Sequence, residues 1–179
     1  MDVNRVPYPT YEGIDLSLYQ PAHACAMTAR GCTKRCRFCI DWILGRRYRE
    51  RDVANVLDEL ELLSKELGVE VLIFNDLNLG IDVDRLKAIA RGILERKIRI
   101  AWDANLSVSS ELDERTFELL AASGARMLQF GIESGSERIL KLMGKDYTPE
   151  LAKRVIRAAH KAGVGTMINL IVGYPNETE

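Results

Sequence analysis

Short apolar runs separated by amphipathic segments extend from Ala24 to Gly173, and that alternation limits how the chain can fold. Ala24–Ala29 reads as a first strand. Asp52 is placed to cap a helix whose apolar positions Val53, Val56, Leu57, Leu60, Leu63 and Leu67 keep helical spacing up to Gly68. VEVLIFND, Val69–Asp76, is rich in β-branched residues and reads as a buried second strand. Asp82 opens a second helix through Arg96, Ile98–Ala104 is a third strand, and a helix from about Ser110 to Ser123 stops at Gly124. Arg126–Ser134 is a fourth strand. After a short helical turn comes a longer helix with Thr148 as cap, Pro149 at its first position and Gly163 past its end. Gly165–Gly173 is the fifth strand.

Strands that alternate with helices through short loops pair in parallel, with right-handed crossovers. The similar lengths of the units predict an α/β fold of barrel type, a partial (β/α)6 TIM-like barrel of parallel strands with about five strands present. Residues 1–21, with Pro7, Pro9 and Pro21, are expected to form a linker or N-terminal arm, and residues 22–179 a core domain. The chain stops at GYPNETE, where the next helix is due, so the core is expected to be truncated after the fifth strand. Unpaired edges on the first and fifth strands would then leave it poorly stable alone.

The 179 residues carry a formal net charge of -1, which supplies no overall attraction to nucleic acid or to an acidic membrane. No apolar run approaches the ~20 residues that cross a bilayer. MDVNRVPYPTYEG lacks the basic and apolar regions of a secretory signal, so a cytoplasmic location is expected. In that setting clustered cysteines serve metals or redox chemistry more often than disulfides.

Catalytic groups of parallel barrels stand at the C-terminal ends of the strands. The first strand runs into a cysteine loop, and the second ends in Asn75-Asp76-Leu77-Asn78. The third carries Asp103, Asn105 and Ser107 at or beyond its end. Gln129, Gly131 and Glu133 share one face of the fourth, while the fifth carries Asn169 and ends in Gly173-Tyr174-Pro175. Strand ends meet solvent and are polar for that reason alone, but a glutamate of inward parity beside clustered thiols favours a site.

ARGCTKRCRFCID places Cys32, Cys36 and Cys39 in a C-x3-C-x2-C pattern. One reading adds Cys25 and closes a four-thiolate zinc site in a non-catalytic binding or interaction module. Against it, Cys25 lies within the apolar run ACAMTA, where a small thiol packs as a core residue. The other reading is a [4Fe–4S] cluster on three thiolates, with one iron open to a cofactor.

The C-x3-C-x2-C spacing, with Phe38 before the last cysteine, resembles the signature of the radical SAM superfamily. GIESGSERILKLMGKDYT, Gly131–Thr148, and IVGYPNETE, Ile171–Glu179, are similar to the fourth- and fifth-strand regions of its methylthiotransferases and cobalamin-dependent members. The resemblance implies an enzyme, a transferase or an oxidoreductase. In it a [4Fe–4S] cluster binds S-adenosylmethionine and cleaves it to a 5′-deoxyadenosyl radical, which takes hydrogen from a substrate, with methyl or methylthio transfer as an outcome. It implies Cys32, Cys36 and Cys39 as cluster ligands and Phe38 against the adenine. Asp76 or Asn78 would meet the methionyl amino group, where the usual Gly-Gly-Glu is absent. Glu133 would reach the methionyl or ribose part, Lys145 the carboxylate, and Gly173 and Pro175 the backbone beside the adenine; Ser107 stands where relatives carry arginine.

The implied partners are a small-molecule substrate and an electron donor such as flavodoxin or ferredoxin, with cobalamin entering only through a missing N-terminal domain. Arg30, Lys34, Arg35 and Arg37 suit an anionic cluster and an incoming reductase. The basic run Arg46, Arg47, Arg49 and Arg51 is expected to be a solvated stretch, and RNA contact ranks low because only Tyr48 offers stacking. His23 and His160 are isolated, and Trp42 and Tyr48 follow the cysteine loop, where they either shield it or fill the core.

Overall fold

The computed structural model describes residues 2–15, 18, 22–40 and 47–178. Trp42, Arg46 and Pro21 lie outside the described residues. Five strands, β1 (His23–Ala26), β4 (Val71–Phe74), β5 (Ala101–Leu106), β6 (Ala125–Glu133) and β7 (Gly165–Leu170), form one sheet in that order. Every neighbouring pair in it is parallel. Sheet order therefore follows chain order without reversal, the winding of a barrel wall rather than of a doubly wound sheet. Two short strands, β2 (Ala29–Arg30) and β3 (Arg49–Glu50), pair antiparallel as a separate ribbon that the apolar pattern did not announce.

Helices α1 (Val53–Lys65), α2 (Val83–Glu95), α3 (Glu114–Ala122), α4 (Glu137–Met143) and α5 (Pro149–Lys161) connect the strands. Capping explains most of their starts. Asp82, Asp113, Ser136 and Thr148 each accept a hydrogen bond from the backbone N–H three residues on. The third helix starts at Glu114 rather than near Ser110, because Asp113 takes both the N–H and the hydroxyl of Thr116 at 2.8 and 2.6 Å. Asp52 sits at the N-cap of α1 but its side chain makes no capping bond. Its own N–H instead donates to Asn4 Oδ1 at 2.8 Å, so the N-terminal arm is tied to that helix.

Alternation along the strands sorts the two faces. Leu72, Phe74, Trp102, Ala104, Leu128 and Phe130 point to the helices and join the hydrophobic core, with Phe74 and Trp102 edge to face at 5.4 Å between centroids. Cys25, Ile73, Asp103, Asn105, Gln129 and Met167 occupy the alternate positions and stay partly or fully exposed. Cys25 is thus an exposed thiol on the open inner face, which corrects the expectation of a packed core cysteine.

The junction after β1 rests on buried charges. Asp76 accepts from Thr28 N at 3.0 Å, from Thr28 Oγ1 at 3.0 Å and from Ala29 N at 2.6 Å. Arg85 donates to Thr28 Oγ1, Thr28 O and Arg51 O. Arg51 pairs with Glu59, donates to Met27 O at 2.9 Å, and lies 5.2 Å from the Tyr8 ring. Arg51, expected to be solvated, is 8% exposed and the hub of this network. The expected consequence of Arg51→Ala is a loss of about 3–5 kcal/mol in denaturant unfolding, since Glu59 would be left buried without its partner. A change under about 1 kcal/mol would place the pair in solvent.

Candidate functional site

The cysteine loop is fixed in place by the segment that follows α4. Arg37 N donates to Met143 O at 2.9 Å, closing the end of that helix, and Lys34 pairs with Asp146 at 2.7 Å. Gly144 adopts φ 77°, and a Cβ there would stand 3.0 Å from the Arg35 carbonyl oxygen. Glycine at this position therefore supplies both the left-handed turn and the room for the loop. Within the loop, Cys39 N donates to Cys36 O at 3.1 Å, closing a backbone turn between the last two cysteines.

The end of β6 supplies the facing wall. Pairing with β7 is irregular between Gly131 and Glu133, and Glu133 takes φ 64°, a left-handed conformation disfavoured for a residue with a Cβ. The Tyr147 hydroxyl lies 3.0 Å from Gly131 O and 2.8 Å from Ile132 O, holding the irregular turn. Lys145 Nζ donates to Gly131 O at 3.0 Å and to Glu133 Oε1 at 3.1 Å, and it stands 5.4 Å from the Phe38 ring. A Cβ at position 131 would overlap the Glu133 carboxylate, so Gly131 leaves the space into which that side chain folds.

These elements enclose a cleft of ≈ 800 Å³, open mouth included. Cys32, Cys36, Cys39, Phe38, Glu133 and Lys145 line it. Asn78, Asn105, Ser107, Gln129 and Asn169 reach it from the ends of the strands. Burial pushes the Cys36 thiol up, the Lys145 charge pulls it back, and the negative charges of Cys39, Cys32 and Glu133 add to the rise. Burial likewise raises the Tyr147 hydroxyl, which keeps its proton for the backbone.

Several residues singled out from sequence lie elsewhere. Asp76 does not line the cleft; its carboxylate is spent on Thr28 and Ala29, with burial raising it and those bonds lowering it. Gly173 and Pro175 do not line the cleft either, and Gly173 N donates instead to Glu177 at 2.6 Å. Asp103 pairs with Arg126. His160 is exposed on α5. Cys25 borders a different cleft, between β1 and the arm residues Val3, Pro7 and Tyr8. Sequence reasoning passed over Tyr147, whose contacts are to backbone carbonyls and leave no signal in residue spacing.

The family model described as the Radical SAM superfamily matches residues 27–179. The chain belongs to the radical SAM superfamily. It is 30% identical over 99% of its length to an uncharacterized methyltransferase of Pyrococcus horikoshii, covering 39% of that protein. It is 32% identical over 84% of its length to the anaerobic magnesium-protoporphyrin IX monomethyl ester cyclase of Rubrivivax gelatinosus, covering 27% of it. Among solved structures it matches the radical S-adenosylmethionine methyltransferase TsrM of Kitasatospora setae, with cobalamin and a [4Fe–4S] cluster bound. There the TM-score is 0.80 and the identity 27%, over 89% of this chain and 32% of that one. The chain thus spans less than two-fifths of the length of each of these relatives.

A radical SAM domain implies a [4Fe–4S] cluster and S-adenosylmethionine, and the residues present fit them. Three thiols share one cleft, and the Lys145 charge there favours the ionised form of Cys36. Among the described residues no three His, Cys, Asp or Glu side chains gather around a single-ion position. The thiolates of a cubane need not do so, because each takes a different iron. The four-thiolate zinc alternative also asks Cys25 to leave its own cleft.

The left-handed turn at Glu133 has a measurable signature. Glu133→Gly and Glu133→Ala both remove the carboxylate, but only glycine relieves the backbone. The glycine variant should be more stable than the alanine variant by about 1–2 kcal/mol in denaturant unfolding. Equal stability would mean that position 133 is not left-handed.

Proposed function

We propose that this chain is the cofactor-cleaving core of an enzyme that starts radical chemistry on a small molecule, with methyl or methylthio transfer as the outcome. The observation that carries the reading is the single cleft at the C-terminal rim, where Cys32, Cys36 and Cys39 face Glu133 and Lys145. When bound, the cluster supplies one electron to S-adenosylmethionine, which breaks the S–C5′ bond and yields methionine and a 5′-deoxyadenosyl radical able to take a hydrogen atom.

The protein's part is to hold and to shield. Cys32, Cys36 and Cys39 ligate the cluster as thiolates. Lys145, already half committed to Glu133 and Gly131, offers a point charge to the methionyl carboxylate. Glu133 has one oxygen on Lys145, and its other oxygen serves the methionyl or ribose end. Phe38, 39% exposed at the mouth, presents a ring face to the adenine.

Arg30, Arg35 and Arg37 are exposed around the cysteine loop and would receive an acidic one-electron donor such as flavodoxin or ferredoxin. Cobalamin, which the Kitasatospora relative holds bound, would reach the cleft from a further domain. Clustered thiolates favour a cytoplasmic setting. No described helix is long and apolar enough to cross a membrane. RNA stays a weaker alternative, because Arg51 of the basic run is buried.

Anaerobic reconstitution with iron and sulfide should give a brown protein absorbing near ~400 nm. With dithionite it should convert S-adenosylmethionine to 5′-deoxyadenosine. Cys32→Ala, Cys36→Ala and Cys39→Ala should each abolish both signals, and Cys25→Ala neither. A colourless protein that holds zinc and loses it in Cys25→Ala would contradict the proposal.

A further inference from the structure

Asn78 is 4% exposed, yet it lines the cleft beyond the end of β4. Its Oδ1 accepts from Gly80 N at 3.1 Å and from Ser107 N at 3.0 Å. Both partners are backbone N–H groups, which can only donate, so the orientation of the amide is settled by its surroundings. An amide oxygen has two lone pairs, and both are used. Its Nδ2 is buried and has no hydrogen-bond partner among the described residues.

A buried N–H without an acceptor costs free energy, and native proteins leave few of them. In a cleft built for a ligand, the missing acceptor is supplied by that ligand. Asn78 therefore has nothing left with which to receive a cationic amino group, the role its position suggested from sequence. It can only donate.

We infer that Asn78 donates through Nδ2 to an acceptor oxygen of S-adenosylmethionine, on its carboxylate or its ribose, and does not receive its ammonium group. The inference rests on the cofactor reading given above and adds a polarity to one contact within it. Asn78 also holds the backbone of Ser107, so the same amide ties the end of β5 to the ligand. Ligand binding and the closing of the β4 and β5 ends are thereby joined through one side chain.

Asn78→Asp tests this, because it keeps an oxygen for Gly80 and Ser107 and replaces the Nδ2 donor with an acceptor that also carries negative charge. Equilibrium dialysis on the cluster-loaded protein would compare S-adenosylmethionine with its decarboxylated analogue. The variant should keep its iron content and bind S-adenosylmethionine at least about tenfold more weakly. A matching loss for the analogue assigns the acceptor to the ribose; an unchanged affinity for the analogue assigns it to the carboxylate. Wild-type affinity of Asn78→Asp for S-adenosylmethionine overturns the inference.

If the variant does not fold, 15N-asparagine labelling of the wild type gives the same answer. The Asn78 side-chain amide signals should shift when S-adenosylmethionine is added, and signals that do not move overturn the inference. A cluster-loaded wild type that binds no S-adenosylmethionine would sink the cofactor reading itself, an outcome distinct from normal binding with an indifferent Asn78.

Discussion

Lys145 is the group through which the two walls of the cleft meet. Its ammonium satisfies Gly131 O and Glu133 Oε1 on the fourth sheet strand and faces the Phe38 ring on the cysteine loop. With its side chain 11% exposed, it is partly desolvated, so these contacts act at a lower effective dielectric than a surface pair would. The same charge favours the Cys36 thiolate. Around it the backbone takes two unusual forms, left-handed at Gly144 and left-handed at Glu133. The first admits the loop and the second turns a carboxylate inward. Strain of this kind persists where surrounding contacts over-determine it, here the Tyr147 hydroxyl and the lysine.

Behind the cleft, a second buried network fixes where the loop begins. Thr28 is fully buried and bonded to both Asp76 and Arg85, so the chain leaves β1 in one direction only. Arg51 and Glu59 extend that network to α1 and, through Tyr8, to the N-terminal arm. A cluster needs ligands held at the right separation before it is assembled. A backbone anchored at Thr28 on one side and Met143 on the other provides that constraint.

Most of the architecture was legible in the sequence, because strands and helices here obey their periods and carry their caps. Asp82, Thr148 and Pro149 mark helix starts as expected, and all five sheet strands lie within a few residues of the apolar runs. The departures have physical reasons. Cys25 has the composition of a core position but the parity of the inner face. Arg51 belongs to a basic run in sequence, yet only tertiary contact reveals Glu59 and Met27 O as its partners. The choice between Asp76 and Asn78 could not be made from spacing, since the buried donors that claim Asp76 lie 47 and 48 positions away. Gly173 and Pro175 stand outside the cleft for a similar reason, Glu177 having captured the backbone at Gly173 and Tyr174.

Cys32, Cys36 and Cys39 would hold the cluster, leaving one iron free for a cofactor in the cleft lined by Glu133 and Lys145. Electron paramagnetic resonance of the reduced, reconstituted protein tests this arrangement directly, because a cofactor that ligates the open iron alters the cluster's own spectrum. S-adenosylmethionine should change the signal in the wild type and in Cys25→Ala alike. A signal that S-adenosylmethionine leaves unchanged in a fully loaded wild-type cluster would contradict it.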